Sequence, residues 1–310
     1  MNFVDLHLHS TYSNLDGFGL PGQIVKKAKS IGRNSISLTD HGSISGFVKF
    51  QNACKENGIK PIYGCEFYTV ESLDRMFDQK ERKKYHLTVI AKNLIGYRNL
   101  LKLVTLSYEK GFYYKPTIDQ QMLFENSEGL IVLSGCWSGM VQSLLQDNDD
   151  RAALSKINTF KEALGENYRL ETQHFPLFKD TIDALGRIAE KTEIPIVLTC
   201  DPHYLEKEQA SIQEVLHTIR DRRTFDESQI IYGAYQWPAE DLFKAVNILY
   251  PKMNWTQLFQ NTVDIAEMCD VEMPMGAAPV YPLEEGENSY DTLLEWCKIG
   301  LKNRGLDQVR

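Results

Sequence analysis

Phe3-Val4-Asp5-Leu6-His7-Leu8-His9-Ser10 is a short, β-rich apolar run that ends in two histidines one residue apart. On a strand, residues i and i+2 leave the same face, so both imidazoles point the same way. Two neutral nitrogen donors on one face are half a metal site. Taken alone the pattern is weak, because a pair of ordinary core or surface histidines reads the same.

Working outward, similar apolar runs recur at residues 35–39, 61–67, 86–91, 129–134, 168–172 and 195–200, giving seven candidate strands with 2–6. Amphipathic stretches at 20–31, 44–57, 95–109, 149–164 and 179–192 fall between most of them. That alternation is the α/β signature. Seven strands with crossover helices predict a distorted (βα)7 relative of the eight-fold barrel. An open doubly wound sheet is the alternative; polar residues at the ends of so many different strands favour the barrel. One link differs. Between Glu66 and His86 the chain is dense in charge (Glu71, Asp74, Arg75, Asp78, Lys80, Glu81, Arg82, Lys83, Lys84) and too poor in apolar residues for a packed crossover helix. A surface loop there lets the strand from His86 run antiparallel to its predecessor, which places Glu66 beside His86. Beyond residue 205 the pattern is mostly helical (206–221, 239–247, 255–268, 289–303), with a Pro-, Gly- and Glu-rich connector at 274–287. The expected division is a barrel over 1–205 and a helical extension over 206–310.

Composition narrows the function. The chain has 310 residues, 43% hydrophobic and 25% charged, enough for a sizeable core. No apolar run approaches the roughly 18 residues of a membrane span, and the N-terminus lacks the basic and apolar regions of a secretory signal. Six cysteines (54, 65, 136, 200, 269, 297) form no CxxC pair, which suits free thiols in a reducing cytoplasm. A net charge of −8 counts against a broad basic face for duplex DNA. It leaves room for an enzyme that draws one phosphodiester end into a metal-lined pocket.

Further polar groups follow the candidate strands: Asp16 in Leu15-Asp16-Gly17, Asp40-His41-Gly42, Glu66, Cys136 in Ser134-Gly135-Cys136, and Asp201-Pro202-His203. Each has a plain structural reading, as a turn, a helix cap, a small buried thiol or an ion-pair partner. Their joint placement is the signal. His7, His9, His41, His86 and His203, five of the seven histidines, fall at strand boundaries, and an enzyme barrel gathers its site at one rim. Imidazoles, carboxylates and a thiolate together suit Zn, Mn or Fe. Nine such groups exceed the needs of one ion, and a bridging carboxylate could hold two.

His7-Leu8-His9-Ser10, Thr39-Asp40-His41-Gly42, Gly64-Cys65-Glu66, His86-Leu87-Thr88, Ser134-Gly135-Cys136 and Asp201-Pro202-His203-Tyr204 together resemble the PHP (polymerase and histidinol phosphatase) family. Gly111-Phe112-Tyr113-Tyr114-Lys115-Pro116 makes the likeness strongest to its polymerase branch, the N-terminal domains of bacterial DNA polymerase III α subunits. The resemblance implies three divalent metal positions (Mn2+, Zn2+ or Fe2+). His7, His9, Glu66 and Asp201 would hold the first, Glu66, His86 and Cys136 the second, and Asp16, His41 and His203 the third. It further implies Glu66, Asp201 and His203 as catalytic residues, water activated by the ions, and Asp40 orienting a neighbouring histidine. Tyr113, Tyr114 and Lys115 would stack on a base or contact a phosphate, or else form an aromatic loop packed on the barrel. Glu171 and His174, after the sixth strand, are within reach of the pocket; His217 has no assigned role.

The implied activity is a 3′–5′ DNA exonuclease serving replication or proofreading. A small-molecule phosphatase of the histidinol-phosphate type and a non-catalytic polymerase module are the rivals. No carboxylates for nucleotide addition can be assigned before the chain stops at Arg310. The expected partners are therefore a DNA 3′ end and a polymerase part, either a separate subunit or the remainder of a longer chain, and no membrane.

Overall fold

The computed structural model describes residues 2–75, 83–274, 276 and 280–306. Its strands are β1 (Ser35–Leu38), β2 (Lys60–Val70), β3 (Tyr85–Ala91), β4 (Phe112–Tyr113), β5 (Lys115–Asp119), β6 (Leu130–Leu133), β7 (Tyr168–Gln173) and β8 (Ile196–Thr199). Hydrogen bonding runs β4-β5-β2-β3-β6-β7-β8, with β1 also on β2. The N-terminal segment supplies the missing link. Ser37 N donates to Asp5 O at 3.0 Å, Thr39 N to Leu8 O at 2.9 Å and His9 N to Pro202 O at 3.0 Å. Residues 5–9 thus lie between β1 and the chain leaving β8, and complete a distorted seven-membered barrel.

Residues 2–6 do not form the regular strand that their composition suggests. The chain bends at His7. Val4 and Leu6 belong to one buried cluster, whereas Phe3 and Leu8 belong to another. The bend lets His7 follow Leu6 onto the inner face, at the cost of a continuous ladder.

Helices α1 (Pro21–Ser30), α2 (Phe47–Asn57), α3 (Leu94–Glu109), α4 (Gln120–Glu125), α5 (Met140–Gln146), α6 (Asp150–Leu164) and α7 (Lys179–Thr192) connect the strands. Their ends follow local chemistry. Pro21 opens α1, the Asn93 side chain accepts from Gly96 N to cap α3, and Asp149 caps α6 through Ala152 N. The α4 and α5 helices and the β4–β5 hairpin were not expected from the sequence. After Glu66 the charged link holds one 3-10 turn, Leu73–Arg75; Asp78, Lys80, Glu81 and Arg82 lie outside the described residues. Strand β3 then runs antiparallel to both β2 and β6, as its charged link predicts.

Two buried layers result. Outward residues such as Ile36, Tyr63, Phe67, Val89, Val132, Leu170 and Leu198 pack with the helices. Inward residues Ile62, Ile90, Ile131, Leu133 and Val197 pack with Val4 and Leu6. The helix α10 (Trp255–Met268) plugs this inner layer with Ile265 and Ala266.

The expected boundary after residue 205 differs from the observed compact unit, which continues to Met273. Helices α8 (Ala210–Asp221), α9 (Ala239–Leu249) and α10 belong to it. Leu242, Val246, Trp255 and Phe259 lie in the outer buried layer, so these amphipathic faces are spent on the barrel. The second unit starts at Pro274 and contains α11 (Ser289–Asn303), none of whose residues is buried. No helix among the described residues is long and apolar enough to cross a membrane.

Candidate metal centre

Strand periodicity places the site. Along β2 the inward residues are Ile62, Gly64, Glu66 and Tyr68; along β8 they are Val197 and Thr199, continued by Asp201. In β3 the same face reads His86, Thr88, Ile90, but the strand is reversed. Its N-terminal His86 therefore meets the C-terminal ends of its neighbours, with Tyr68 opposite His86 and Glu66 opposite Thr88. Each of these three strands contributes an apolar residue to the plugged end and a polar one to the other.

All nine candidate ligands reach one place. Between His7, His9, Glu66 and Asp201, nitrogen and oxygen atoms approach at 3.2 to 3.5 Å: His7 Nε2 to Glu66 Oε1 3.2 Å and to Asp201 Oδ1 3.5 Å, His9 Nε2 to Glu66 Oε2 3.3 Å and to Asp201 Oδ1 3.2 Å. The two Nε2 atoms are 3.2 Å apart. Donors about 2.0 Å from a tetrahedral ion lie about 3.3 Å from one another, so this spacing fits a shared cation. A second triangle joins Glu66 Oε1 to His86 Nδ1 (3.0 Å) and Cys136 Sγ (3.3 Å), with sulfur and nitrogen 3.4 Å apart. The third group is looser. His41 Nε2 is 3.1 Å from Asp16 Oδ2, and His203 Nε2 is 3.7 Å from Asp16 Oδ1.

Neighbours fix the donor atoms. His7 Nδ1 donates to Glu171 Oε1 at 2.7 Å, leaving the Nε2 lone pair for the centre. Glu171 also accepts from Thr199 Oγ1 (2.6 Å) and Thr88 Oγ1 (3.3 Å). Asp40 accepts from Ser10 N, Ser10 Oγ and Ser13 Oγ at 2.7 to 2.8 Å. With its proton committed to Asp40, Ser13 Oγ accepts from His9 Nδ1 at 2.8 Å. Asp40 thus orients His9 through a serine. The turn at Gly135 requires glycine: its φ is +92°, and a Cβ there would lie 2.2 Å from the His86 carbonyl oxygen. The next residue is Cys136.

The electrostatics are those of buried carboxylates seeking cations. Burial alone would raise the pKa values of Glu66 and Asp201. His86, His7 and His41 around Glu66, and His7, His203 and His9 around Asp201, instead hold both well below the usual carboxylate range. Asp16 is depressed in the same way by His203, His217 and His41, against its own burial. Burial opposes protonation of His41, yet Glu66 and Asp16 push its pKa up to about 10. His7 is raised against burial by Asp201, Glu66 and Glu171. Burial, then Glu66 and Asp201, pushes the Cys136 thiol well up; a coordinated cation would reverse that order. Glu66 Oε2, Asp201 Oδ1 and His41 Nδ1 are buried atoms without hydrogen-bond partners. His41 Nδ1 and Glu66 Oε2 approach to 2.7 Å outside hydrogen-bond geometry. Such convergence of lone pairs is costly without an electrophile between them, so the residues present fit divalent cations.

His174 is not brought to the centre. It donates from Nε2 to Gly233 O at 3.1 Å and packs against Phe175 and Trp237. Burial pulls its pKa down to about 4. The residue before it reaches the site instead: Gln173 Nε2 donates to Asp201 Oδ2 at 3.0 Å. Tyr113, Tyr114 and Lys115 line a groove that shares His86 with the centre. The sequence reading missed His217 and Arg220, one turn apart on α8. His217 Nε2 lies 2.6 Å from Asp16 Oδ1, and Arg220 Nη1 3.3 Å from Asp16 Oδ2. Their i, i+3 spacing was the available signal.

A seven-membered barrel with a rim of histidines and carboxylates around one shared glutamate defines a class. The model of the PHP domain matches residues 5–174, more than half of the chain, and the chain belongs to that family. The DNA polymerase III subunit alpha of Treponema pallidum (strain Nichols) is 35% identical over 314 residues, covering 99% of this chain and 26% of that protein. The Thermus aquaticus protein of the same name is 34% identical over 329 residues, covering 100% of this chain and 26% of its own length. The chain therefore spans about a quarter of the length of these curated relatives. A solved structure from Bifidobacterium adolescentis ATCC 15703, provisionally assigned as a metal-dependent phosphoesterase, superposes with a TM-score of 0.44 and 13% identity over 79% of this chain and 96% of that one.

Proposed function

We propose that the chain is a divalent-metal-dependent phosphoesterase that hydrolyses the 3′ end of DNA. One observation carries the reading: Glu66 meets both donor groups, His7 and His9 as well as His86 and Cys136, at 3.0 to 3.3 Å, with His9 at Oε2 and the other three at Oε1. A carboxylate so placed is suited to bridging two ions. His7, His9, Glu66 and Asp201 would hold one ion, Glu66, His86 and Cys136 a second, and Asp16, His41 and His203 a third. When bound, the ions supply Lewis acidity that lowers the pKa of water and offsets charge on the phosphate.

The side chains supply the rest. Asp201 presents Oδ1 toward the centre while Gln173 holds Oδ2, so Gln173 fixes which carboxylate oxygen is offered to the ion. His203 donates from Nδ1 to Asp201 O at 2.8 Å, which leaves its Nε2 lone pair on the side of Asp16, 3.7 Å from Oδ1, as a ligand to the third ion requires. The likeness to polymerase α subunits supports a role in replication, with the helical second unit leading to the polymerase part.

The test pairs elemental analysis of protein purified without chelator with hydrolysis in Mn2+ of a 3′-mismatched primer and of histidinol phosphate. Cleavage of the primer is expected. Cleavage of histidinol phosphate alone would convert the reading to a small-molecule phosphatase. Less than about one metal per chain with neither substrate cleaved would leave a structural module of a polymerase.

A further inference from the structure

Helix α8 (Ala210–Asp221) is built inside out. Its buried residues are Ala210, Gln213 and Glu214, and His217 lies on the same face. The polar ones each have a partner. Gln213 Nε2 donates to Asp16 Oδ1 at 3.4 Å, and His217 Nε2 reaches the same oxygen at 2.6 Å. Glu214 accepts from Arg223 Nη1 and Nη2 and from Asp226 N. The opposite face carries Ile212, Val215 and Ile219, an i, i+3, i+7 stripe. Val215 is 45% and Ile219 57% exposed, and none of the three packs into a buried apolar cluster of described residues. A surface helix of a globular fold turns such a stripe to the core. In α8 that side is occupied by the groups that hold Asp16 and Arg223, so the stripe is left facing water.

The two ends of the stripe carry opposite charge. Glu208, in the 3-10 turn Lys207–Gln209 that leads into the helix, stands four residues before Ile212, and Arg222, the C-cap, stands three after Ile219. Glu208, Ile212, Val215, Ile219 and Arg222 thus repeat at intervals of four and three, the spacing of a helix–helix seam. Val215 is the midpoint, seven residues from either end. Both charged ends are exposed. Arg220 and Arg223 are engaged with Asp16, Asp221 and Glu214, whereas Glu208 and Arg222 have no ion-pair partner among the described residues.

We propose that α8 is a self-association surface, on which two copies of this chain lay their stripes antiparallel about a two-fold axis at Val215. In a two-fold interface, if residue i meets residue j, then j meets i. Antiparallel pairing therefore brings Glu208 of each copy to Arg222 of the other, twice over, and sets Val215 against itself. Parallel pairing would put carboxylate on carboxylate and guanidinium on guanidinium, which is repulsive. The charge pattern thus selects a second copy and fixes its direction. Three turns of one helix make a small interface, of the class that forms weak, transient complexes, so the dimer depends on concentration. It rests on the outer face of α8 alone and does not depend on the chemistry of the metal centre.

The experiment is sedimentation equilibrium of the full chain in EDTA, which prevents metal ions from bridging chains, from about 1 µM to about 1 mM, the range of weak complexes. The mean mass is expected to rise with concentration from 35.6 kDa toward twice that value. Val215→Asp, which sets two carboxylates on the axis, should stay monomeric with an unchanged far-UV spectrum. Glu208→Arg and Arg222→Glu should each weaken association about tenfold, since each turns two attractive contacts into repulsive ones. Mixing those two single variants restores both pairs, so their equimolar mixture should associate as the wild type does, and so should a chain carrying both substitutions. A merely structural effect of either substitution would not be repaired by mixing. A wild type that stays monomeric up to about 1 mM overturns the proposal and leaves the stripe to a different polypeptide. So does a dimer indifferent to Val215→Asp, or a mixture that associates no better than its components. None of these readouts involves hydrolysis, so a failure here leaves the phosphoesterase reading untouched.

Discussion

Glu171→Gln tests whether the centre depends on oriented histidines. Glu171 is fully buried and receives three donors: His7 Nδ1, Thr199 Oγ1 and Thr88 Oγ1. Glutamine keeps the shape but replaces one acceptor oxygen with an NH2 donor. Where that group meets His7, the imidazole must move its proton to Nε2, the atom 3.2 Å from Glu66 and 3.5 Å from Asp201. The lone pair offered to a cation is then lost or must be regained at a cost. Replacing such a supporting carboxylate typically weakens metal binding about 10- to 100-fold, or about 1.4 to 2.7 kcal/mol. Competition between the protein and a chromophoric chelator for Zn2+ or Mn2+ reads the change directly, and circular dichroism in EDTA checks the fold. Wild-type affinity in a folded variant would falsify the idea that Glu171 aims His7 at an ion. Glu171→Ala is expected to cost stability as well, since it leaves three buried donors without an acceptor.

Asp201→Asn and His9→Ala should each abolish phosphoester hydrolysis while the far-UV spectrum is retained; activity surviving in both rejects the site assignment. Adding Mn2+ to chelator-treated protein should raise the thermal midpoint, since a ligand at 100 times its Kd adds about 2.7 kcal/mol. No shift with Mn2+, Zn2+ or Fe2+ would mean that the cluster binds none of them. Glu214 lies under Arg223, whose Nη1 and Nη2 donate to it at 2.5 and 2.8 Å and pull its pKa from 4.5 to about 2. A depressed carboxylate stabilises the fold above its unfolded pKa, so this contribution should fade as pH falls from 4.5 toward 2. Glu214→Gln should flatten that limb in urea denaturation, and an unchanged pH profile would show that the pair does not contribute. Gly135→Ala should lower stability by about 1–3 kcal/mol and weaken metal binding, because the turn before Cys136 has to open. Unaltered chelator competition in this variant would separate Cys136 from the centre.

The barrel and its rim were legible because each depends on a period of two. Val197, Thr199 and Asp201 alternate through the end of β8, as do Ile62, Gly64, Glu66 and Tyr68 through β2. Reading which polar residues end each run was therefore reading which ones face inward at the open end. The reversal of β3 could be seen in the charge density after Glu66, since a chain with no crossover helix returns antiparallel. The β4–β5 hairpin could not. Its turn residue is Tyr114 at φ +60°, where sequence rules look for glycine or asparagine, and its first strand has two residues. The N-terminal strand misled in the opposite sense. Its composition is that of a strand, but the bend that brings both Leu6 and His7 inward removes the ladder.

Asp16 marks where local reading ends. Leu15-Asp16-Gly17 is a turn by composition, and in the structure Asp16 lies within 2.6 to 3.7 Å of His41 from the β1 loop, His203 from the β8 loop, and His217 and Arg220 from α8. The last two lie about 200 positions along the chain, and only the packing of α8 on the barrel brings them there. That packing also explains why the compact unit extends beyond the seven strands. A barrel ending at residue 205 would keep the donors around Glu66 but leave Asp16 without His217 and Arg220. The helical segment after β8 is thus part of the centre's wall as well as of the core. Asp16 is held from that side by His217 and Arg220 while Glu66 and Asp201 keep unpartnered oxygens. A cation entering the centre therefore meets its least committed acceptors at Glu66 and Asp201, and should fill the His7–His9–Glu66–Asp201 group before it competes with α8 for Asp16.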